Sequence, residues 1–200
     1  MPNLLSTKDI IVGETYYNSP ETFFSNFSGA WKLAISQVLK LETRQEYLEG
    51  NDPSFKLLQS GKLSEAIFLL KQTHNGDKKL YDSLKERKID FIRCRPVIFP
   101  LTNYLRWEFE AYKINIEDGE RIYCIDKSEW NSISENLAFH DFMVFDTSVA
   151  FIHDYDAAGE IKGGWEIKDK YKIENLIFIY SLIRAHSIEF SVFLKKNDIT

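Results

Sequence analysis

Between Arg93 and Glu110 the chain carries three arginines, two glutamates and a tyrosine, Tyr104, in otherwise apolar company. Extended from Ile89 to Phe99, the backbone would set Ile89, Phe91, Arg93, Arg95, Val97 and Phe99 on one face, because strand side chains alternate. Two guanidiniums then interrupt an apolar face. Each needs an acidic or phosphate partner, since an unpaired buried charge costs several kcal/mol. Glu108 and Glu110 follow, beside a third cation, Arg106. The stretch therefore predicts either a structural ion-pair cluster or a binding site. In the second case the polar ends of Arg93, Arg95, Tyr104, Arg106 and Glu108 should converge on one cleft, as substrate pockets gather a few polar groups on apolar walls.

A second set of acids, Asp141, Asp146, Asp154 and Asp156, falls along one predicted hairpin. Carboxylates at a sheet rim can hold a cationic ligand or tune one another's protonation; turn chemistry explains Asp146 and Asp156 as well. The four histidines, His74, His140, His153 and His186, are scattered and read as structural or surface residues, with His140-Asp141 as a candidate acid-base pair. No Gly-rich phosphate loop, His-Glu-x-x-His, Gly-x-Ser-x-Gly or metal-spaced His/Cys set is present, so neither a metal nor a cofactor is expected. Cys94 and Cys124 lack Cys-x-x-Cys spacing and read as buried, reduced core residues. Lys78, Lys79, Lys85, Arg87 and Lys88 read as a solvated face.

The elements that must position these groups can be read from periodicity. The chain has 200 residues, 14% aromatic and 28% charged, with a net charge of −5. This fits one globular domain and argues against a surface that coats nucleic acid, which would need massed lysine and arginine. The apolar runs fall far short of the ~20 residues of a membrane span, so the chain reads as soluble and cytoplasmic. Residues 1–30 read as an irregular arm laying aromatics on the core, and 31–200 as a single domain. Strands are expected at 38–44, 89–99, 121–126, 142–145, 149–155 and 161–167. Helical spacing appears at Leu63, Ala66, Ile67 and Leu70, and again at Leu80 and Leu84 after Asn75-Gly76-Asp77, forming an α-hairpin over the sheet. One long, largely buried C-terminal helix is expected from Tyr171 to about Lys195. Residues 101–112 fit a helix with Pro100 in its first turn, and also a strand. On either reading Arg106 and Glu110 share a face. The fold class is α+β, a central antiparallel meander covered by the hairpin and the terminal helix.

Leu41-Glu42-Thr43-Arg44 with Tyr47, Pro100-Leu101-Thr102-Asn103-Tyr104-Leu105-Arg106-Trp107-Glu108, Asp118-Gly119-Glu120-Arg121-Ile122 and Asp141-Phe142-Met143-Val144-Phe145-Asp146 are the blocks that carry a resemblance. Over roughly residues 36–165 they resemble a bacterial domain family of unknown function, common in actinobacteria and often encoded beside helix-turn-helix regulators. The chain is also, more weakly, similar to arginine-containing cyclodipeptide synthases. That resemblance implies a cytoplasmic transferase that joins arginine to a second amino acid from aminoacyl-tRNAs, without ATP. Glu108 would be the base or ammonium anchor and Tyr104 the oxyanion donor. Arg93, Arg95 and Arg106 would contact tRNA phosphates, and Asp141 or Asp146 a substrate guanidinium. The competing expectation is a non-catalytic partner of a helix-turn-helix protein, with the same arginines as an interface patch.

Overall fold

A computed structural model describes residues 5–50, 52–73, 78–134 and 140–199. His74 and the Asn75-Gly76-Asp77 break lie outside these. The chain opens with α1 (Thr7–Ile10), capped by Ser6 and Asp9, then the edge strand β1 (Thr15–Tyr17) and α2 (Pro20–Leu33), with Ser19 as N-cap. The N-terminal stretch is thus not irregular. Phe23, Phe27 and Trp31 recur at helical i, i+4 spacing, a stripe masked by the surrounding Pro, Ser and Asn. They do lay aromatics on the core: Phe27 and Trp31 both meet Phe145 edge to face.

β2 (Gln37–Leu41) leads through α3 (Pro53–Gln59), α4 (Leu63–Thr73) and α5 (Lys78–Glu86) to β3 (Asp90–Val97). Asp52 caps α3 and Pro53 fills its first turn. α4 packs on α3 and α6 (Asn103–Asp118), whereas α5 packs on β3 and α6, so these helices form a layer rather than a simple hairpin. α6 settles the helix-or-strand question for 101–112. It starts at N-cap Thr102, not at Pro100, and stops at Gly119, whose φ of 115° is the left-handed conformation glycine accepts most readily.

The chain continues through β4 (Arg121–Asp126), α7 (Lys127–Ser134), which periodicity did not flag, and the hairpin strands β5 (Phe142–Phe145), β6 (Val149–Tyr155) and β7 (Ile161–Ile167). It ends with α8 (Lys170–Ala185), β8 (Ile188–Glu189) and α9 (Phe190–Lys196). The fold is α+β on an eight-stranded, mostly antiparallel sheet of order β1-β7-β6-β5-β2-β3-β4-β8. β5, β6 and β7 form the expected meander, but the centre differs: β3 runs parallel to both β2 and β4. Each parallel pair is joined by helices, the connection such pairs require.

The expected single terminal helix is broken in two, for a reason visible in the cores. Ile173, Leu176, Ile179 and Ile183 of α8 pack on one face of the sheet with Leu39, Leu41 and Cys94. Phe190 and Phe193 of α9 pack on the other face with α6. One straight helix cannot cover both faces, so the chain turns at Ser187 and pairs β8 with the β4 edge. α8 is also less enclosed than its composition implies, since Phe178 remains 48% exposed. Cys94 and Cys124 are buried free thiols; burial pushes Cys94 up to about 11 and raises Cys124 further. Among the described residues no helix is long and apolar enough to cross a membrane.

Candidate functional site

Alternation along the two central strands builds the site's floor. Lys40 on β2 lies opposite Arg93 on β3, and both face the α6 layer together with Glu42 and Arg95. Glu42 Oε1 accepts from Arg93 Nη1 at 2.9 Å and lies 2.6 Å from Lys40 Nζ. Its other oxygen accepts from Arg95 Nη1 at 2.9 Å and from the Tyr112 hydroxyl at 2.5 Å. Glu120 takes Arg93 in a fork, Nε to Oε1 at 2.7 Å and Nη2 to Oε2 at 3.2 Å, and accepts from the Tyr81 hydroxyl. Arg95 Nη2 donates to the Arg44 carbonyl; Arg95 Nε has no partner among the described residues. Burial alone would raise the pKa of Glu42, but Arg93, Lys40 and Arg95 outweigh it and hold that carboxyl well below the usual range.

This network answers the first expectation in part. Arg93 and Arg95 are 6% and 0% exposed. Arg93 is held by Glu42 and Glu120, and Arg95 by Glu42, Tyr112 and the Arg44 carbonyl, so both are tied into the interior rather than set on a surface facing tRNA phosphates. Arg106 is corrected more fully. It lies on the exposed face of α6, while Tyr104, Glu108 and Ala111 face inward. Nor does it pair with Glu110, which instead meets Lys71 and Lys113, each at 2.7 Å. A helix turns 100° per residue, so Arg106 and Glu108 diverge, whereas Tyr104 and Glu108, four apart, share a face.

Glu108 is the group the network leaves unfinished. Its Oε1 lies 3.6 Å from Arg93 Nη1 and 3.9 Å from Arg95 Nη1, beyond hydrogen-bond reach. Burial and the neighbouring Glu42 charge push it up to about 7, against the pull of the two arginines. Nearby, Tyr104 donates its hydroxyl to Glu49 at 3.0 Å, so that proton is already committed to a carboxylate. Burial raises Glu49 as well, partly offset by that bond. Glu108 opens on a cavity of about 370 Å³ between the sheet and α4 and α6. Its lining holds four carboxylates, Glu42, Glu49, Asp52 and Glu108, against two cations, Lys40 and Arg93. We call it the acidic lobe.

A second cavity of about 260 Å³ shares the wall of Lys40, Glu42 and Glu49. Phe24, Phe27, Met143, Tyr155 and Ile161 line much of it, so we call it the aromatic lobe. Asp141 borders this lobe, but its carboxylate is occupied. Oδ1 accepts from the Thr43 amide at 2.7 Å and hydroxyl at 2.6 Å, and Oδ2 accepts from Tyr47. It is a positioning group for the β2 exit rather than a free anchor. The His140-Asp141 pair does not form: His140 Nδ1 bonds the Thr7 hydroxyl at 2.7 Å. His153, read as structural, is buried at the lobe floor, where burial depresses it to about 4 and keeps it neutral near pH 7.

Asp146 belongs to a turn at the opposite end of β5 from Asp141. With φ 52°, it accepts from the amides of Ile35, Ser36 and Gln37 at 2.7 to 2.9 Å and from the Ser36 hydroxyl. These bonds lower its pKa against the opposing effect of burial. Asp156, by contrast, bonds its own turn, accepting from Ala158 and Glu160 amides. Turn chemistry therefore accounts for Asp156, whereas Asp146 is held by a long-range clamp on the chain entering β2. Glu42, Glu49, Glu120 and Lys40 were not singled out from sequence as site residues. Lys40 and Glu42 carried a signal, two ionisable residues at i, i+2 on a strand with apolar neighbours, whereas Glu49 and Glu120 sit in turn regions that give none.

The geometry can be set beside known proteins. Residues 25–195 match the family described as a domain of unknown function, DUF6879, and the chain belongs to that family. The match extends beyond residues 36–165 to take in α8 and nearly all of α9, so the terminal helices are part of the domain. No curated protein matches the chain. Among solved structures, that of TrmBL2, an archaeal chromatin protein with a novel mode of DNA binding, aligns over 89% of this chain. The identity is 10% and the TM-score 0.46, and the chain spans 56% of that structure's length.

Proposed function

We propose that the acidic lobe is the active site of an aminoacyl-tRNA-dependent amide-forming transferase of the arginine-containing cyclodipeptide synthase type. The observation that carries this reading is Glu108: a carboxyl with no hydrogen bond among the described residues, pushed up to about 7, on a cavity lined by four acids. A general base works best when its pKa lies near the operating pH. With Glu42 and Asp52 already bonded within the protein, Glu49 and Glu108 are the carboxylates left in the lobe to meet a guanidinium or ammonium.

In this mechanism the substrate guanidinium enters the acidic lobe, with Glu49 held for it by Tyr104. Glu108 takes a proton from the α-ammonium of one aminoacyl group. The freed amine attacks the ester carbonyl of the second, a C–N bond forms, and the C–O bond to the tRNA ribose breaks. The proton leaves with the ribose hydroxyl. Repetition of the attack by the second amine on the remaining ester closes the ring. An aminoacyl ester is already activated, so no nucleotide triphosphate enters. Arg93 and Arg95 hold Glu42 and set the charge around Glu108; contact with tRNA falls to surface groups.

A non-catalytic role beside a helix-turn-helix protein is the second reading. Leu33 and Ile35, 78% and 80% exposed at the end of α2, favour it as a contact surface. Incubation with charged tRNA, followed by mass spectrometry, separates the two. The transferase reading expects cyclic dipeptides containing arginine, reduced about 10²-fold or more by Glu108→Gln. No product with any arginyl pairing would overturn it.

A further inference from the structure

Amide formation between two aminoacyl groups needs two side-chain sites within reach of one reacting centre. The acidic lobe supplies one. Its shared wall with the aromatic lobe, Lys40, Glu42 and Glu49, puts a second cavity directly beside it. What the second cavity can take depends on which of its polar groups remain free.

Few do. Asp141 already accepts from Thr43 twice and from Tyr47. Lys40 is held by Glu42 at 2.6 Å, and Glu42 has both oxygens occupied. The His153 ring is enclosed by Phe23, Phe27 and Tyr155 at 5.4 to 6.1 Å between centroids, with Nδ1 directed to the Asp141 carbonyl. Glu49, on the shared wall, accepts from the Tyr104 hydroxyl and is taken by the guanidinium in the transferase reading. The rest of the surface is largely aromatic and aliphatic, from Phe24, Phe27, Met143, Tyr155 and Ile161. A charged or strongly polar side chain placed there would lose its water without gaining partners, whereas an apolar one loses nothing. At about 260 Å³ the lobe is smaller than the roughly 300–1,000 Å³ of pockets that enclose a whole small molecule, and suits one side chain.

We propose that the aromatic lobe selects the second amino acid of the reaction, admitting a large apolar or aromatic side chain and rejecting charged ones. The assignment rests on the transferase reading of the acidic lobe, and it adds a class of substrate that the acidic lobe does not determine. Phe24 forms an open part of the wall, 43% exposed, and Ile161 is partly exposed on β7, so both can be changed with little effect on folding.

The test is a calorimetric titration of the full chain with cyclic dipeptides pairing arginine with phenylalanine, leucine, alanine or aspartate. Circular dichroism confirms the fold of each variant. Phenylalanine and leucine ligands should bind at least about 10-fold more tightly than alanine, the scale on which apolar pockets discriminate side chains. Ile161→Trp, which fills the lobe, should abolish that preference while leaving the alanine ligand's affinity unchanged, and Phe24→Ala should weaken the preference. Equal binding of all arginyl ligands, or a preference untouched by Ile161→Trp, would overturn the lobe's role and leave the acidic lobe standing. If no arginyl ligand binds at all, the reading of the acidic lobe fails first and this assignment falls with it.

Discussion

Two groups of charges sit a few ångströms apart above the same strands, and they differ in how far their hydrogen bonds are satisfied. Around Glu42 and Glu120 nearly every donor has an acceptor: two arginines, Lys40, Tyr81 and Tyr112 converge on four carboxylate oxygens. Glu108 meets the same arginines only at 3.6 and 3.9 Å and makes no hydrogen bond among the described residues. Saturation pulls Glu42 well below the usual carboxylate range, while Glu108 is pushed up to about 7. Residues of the same type lining one cleft are thus divided into a framework and a proposed reactive group by their neighbours. Buried ion pairs hold geometry and contribute little net stability, so the framework's value lies in what it does to Glu108.

The most damaging way to probe this contrast is Glu42→Gln. It leaves Arg95, fully buried, without its acid, and should cost roughly 3–5 kcal/mol in chemical denaturation at pH 7. A loss under ~1 kcal/mol would mean the network is not a framework. Glu108→Gln should act in the opposite direction. The folded chain keeps a proton on Glu108 up to about pH 7, while the unfolded chain releases it near the ordinary glutamate value. Its contribution is therefore fully present at low pH and is lost as pH rises through about 7. The variant should gain up to about 3 kcal/mol relative to the native chain at pH 8 and nothing below pH 4. Glu42 has the reverse dependence: its contribution holds above the ordinary glutamate pKa and is lost only as pH falls through its depressed value. The smallest effect belongs to Arg106→Ala, which should stay within about 0.5 kcal/mol and leave ligand binding unchanged, because Arg106 is exposed and faces away from the cleft.

Much of this contrast was visible in the sequence as residue type but not as role. Alternation located β3, and with it the buried Arg93 and Arg95, because a period of two holds whatever the partners are. The spacing of Tyr104 and Glu108 was also legible, yet their shared face appeared only once 103–118 proved helical, which in turn sent Arg106 outward. The partners that decide each charge's state come from far along the chain: Glu42 lies 51 residues from Arg93, and Asp146 clamps amides 109 to 111 residues away. Local pattern carries no record of such pairings. The break between α8 and α9 was hidden for a related reason, since both halves are apolar at helical spacing but serve opposite faces of the sheet.

The central claim is that Glu108 is a titrating group that meets a cationic substrate in the acidic lobe. Affinity of the full chain for agmatine, which carries a guanidinium and an ammonium throughout, can be measured between pH 5 and 9. It should rise as pH passes through about 7, where Glu108 ionises, and the inflection should vanish in Glu108→Gln. An affinity that is flat across this range in the native chain, or an inflection that survives in Glu108→Gln, would contradict the account.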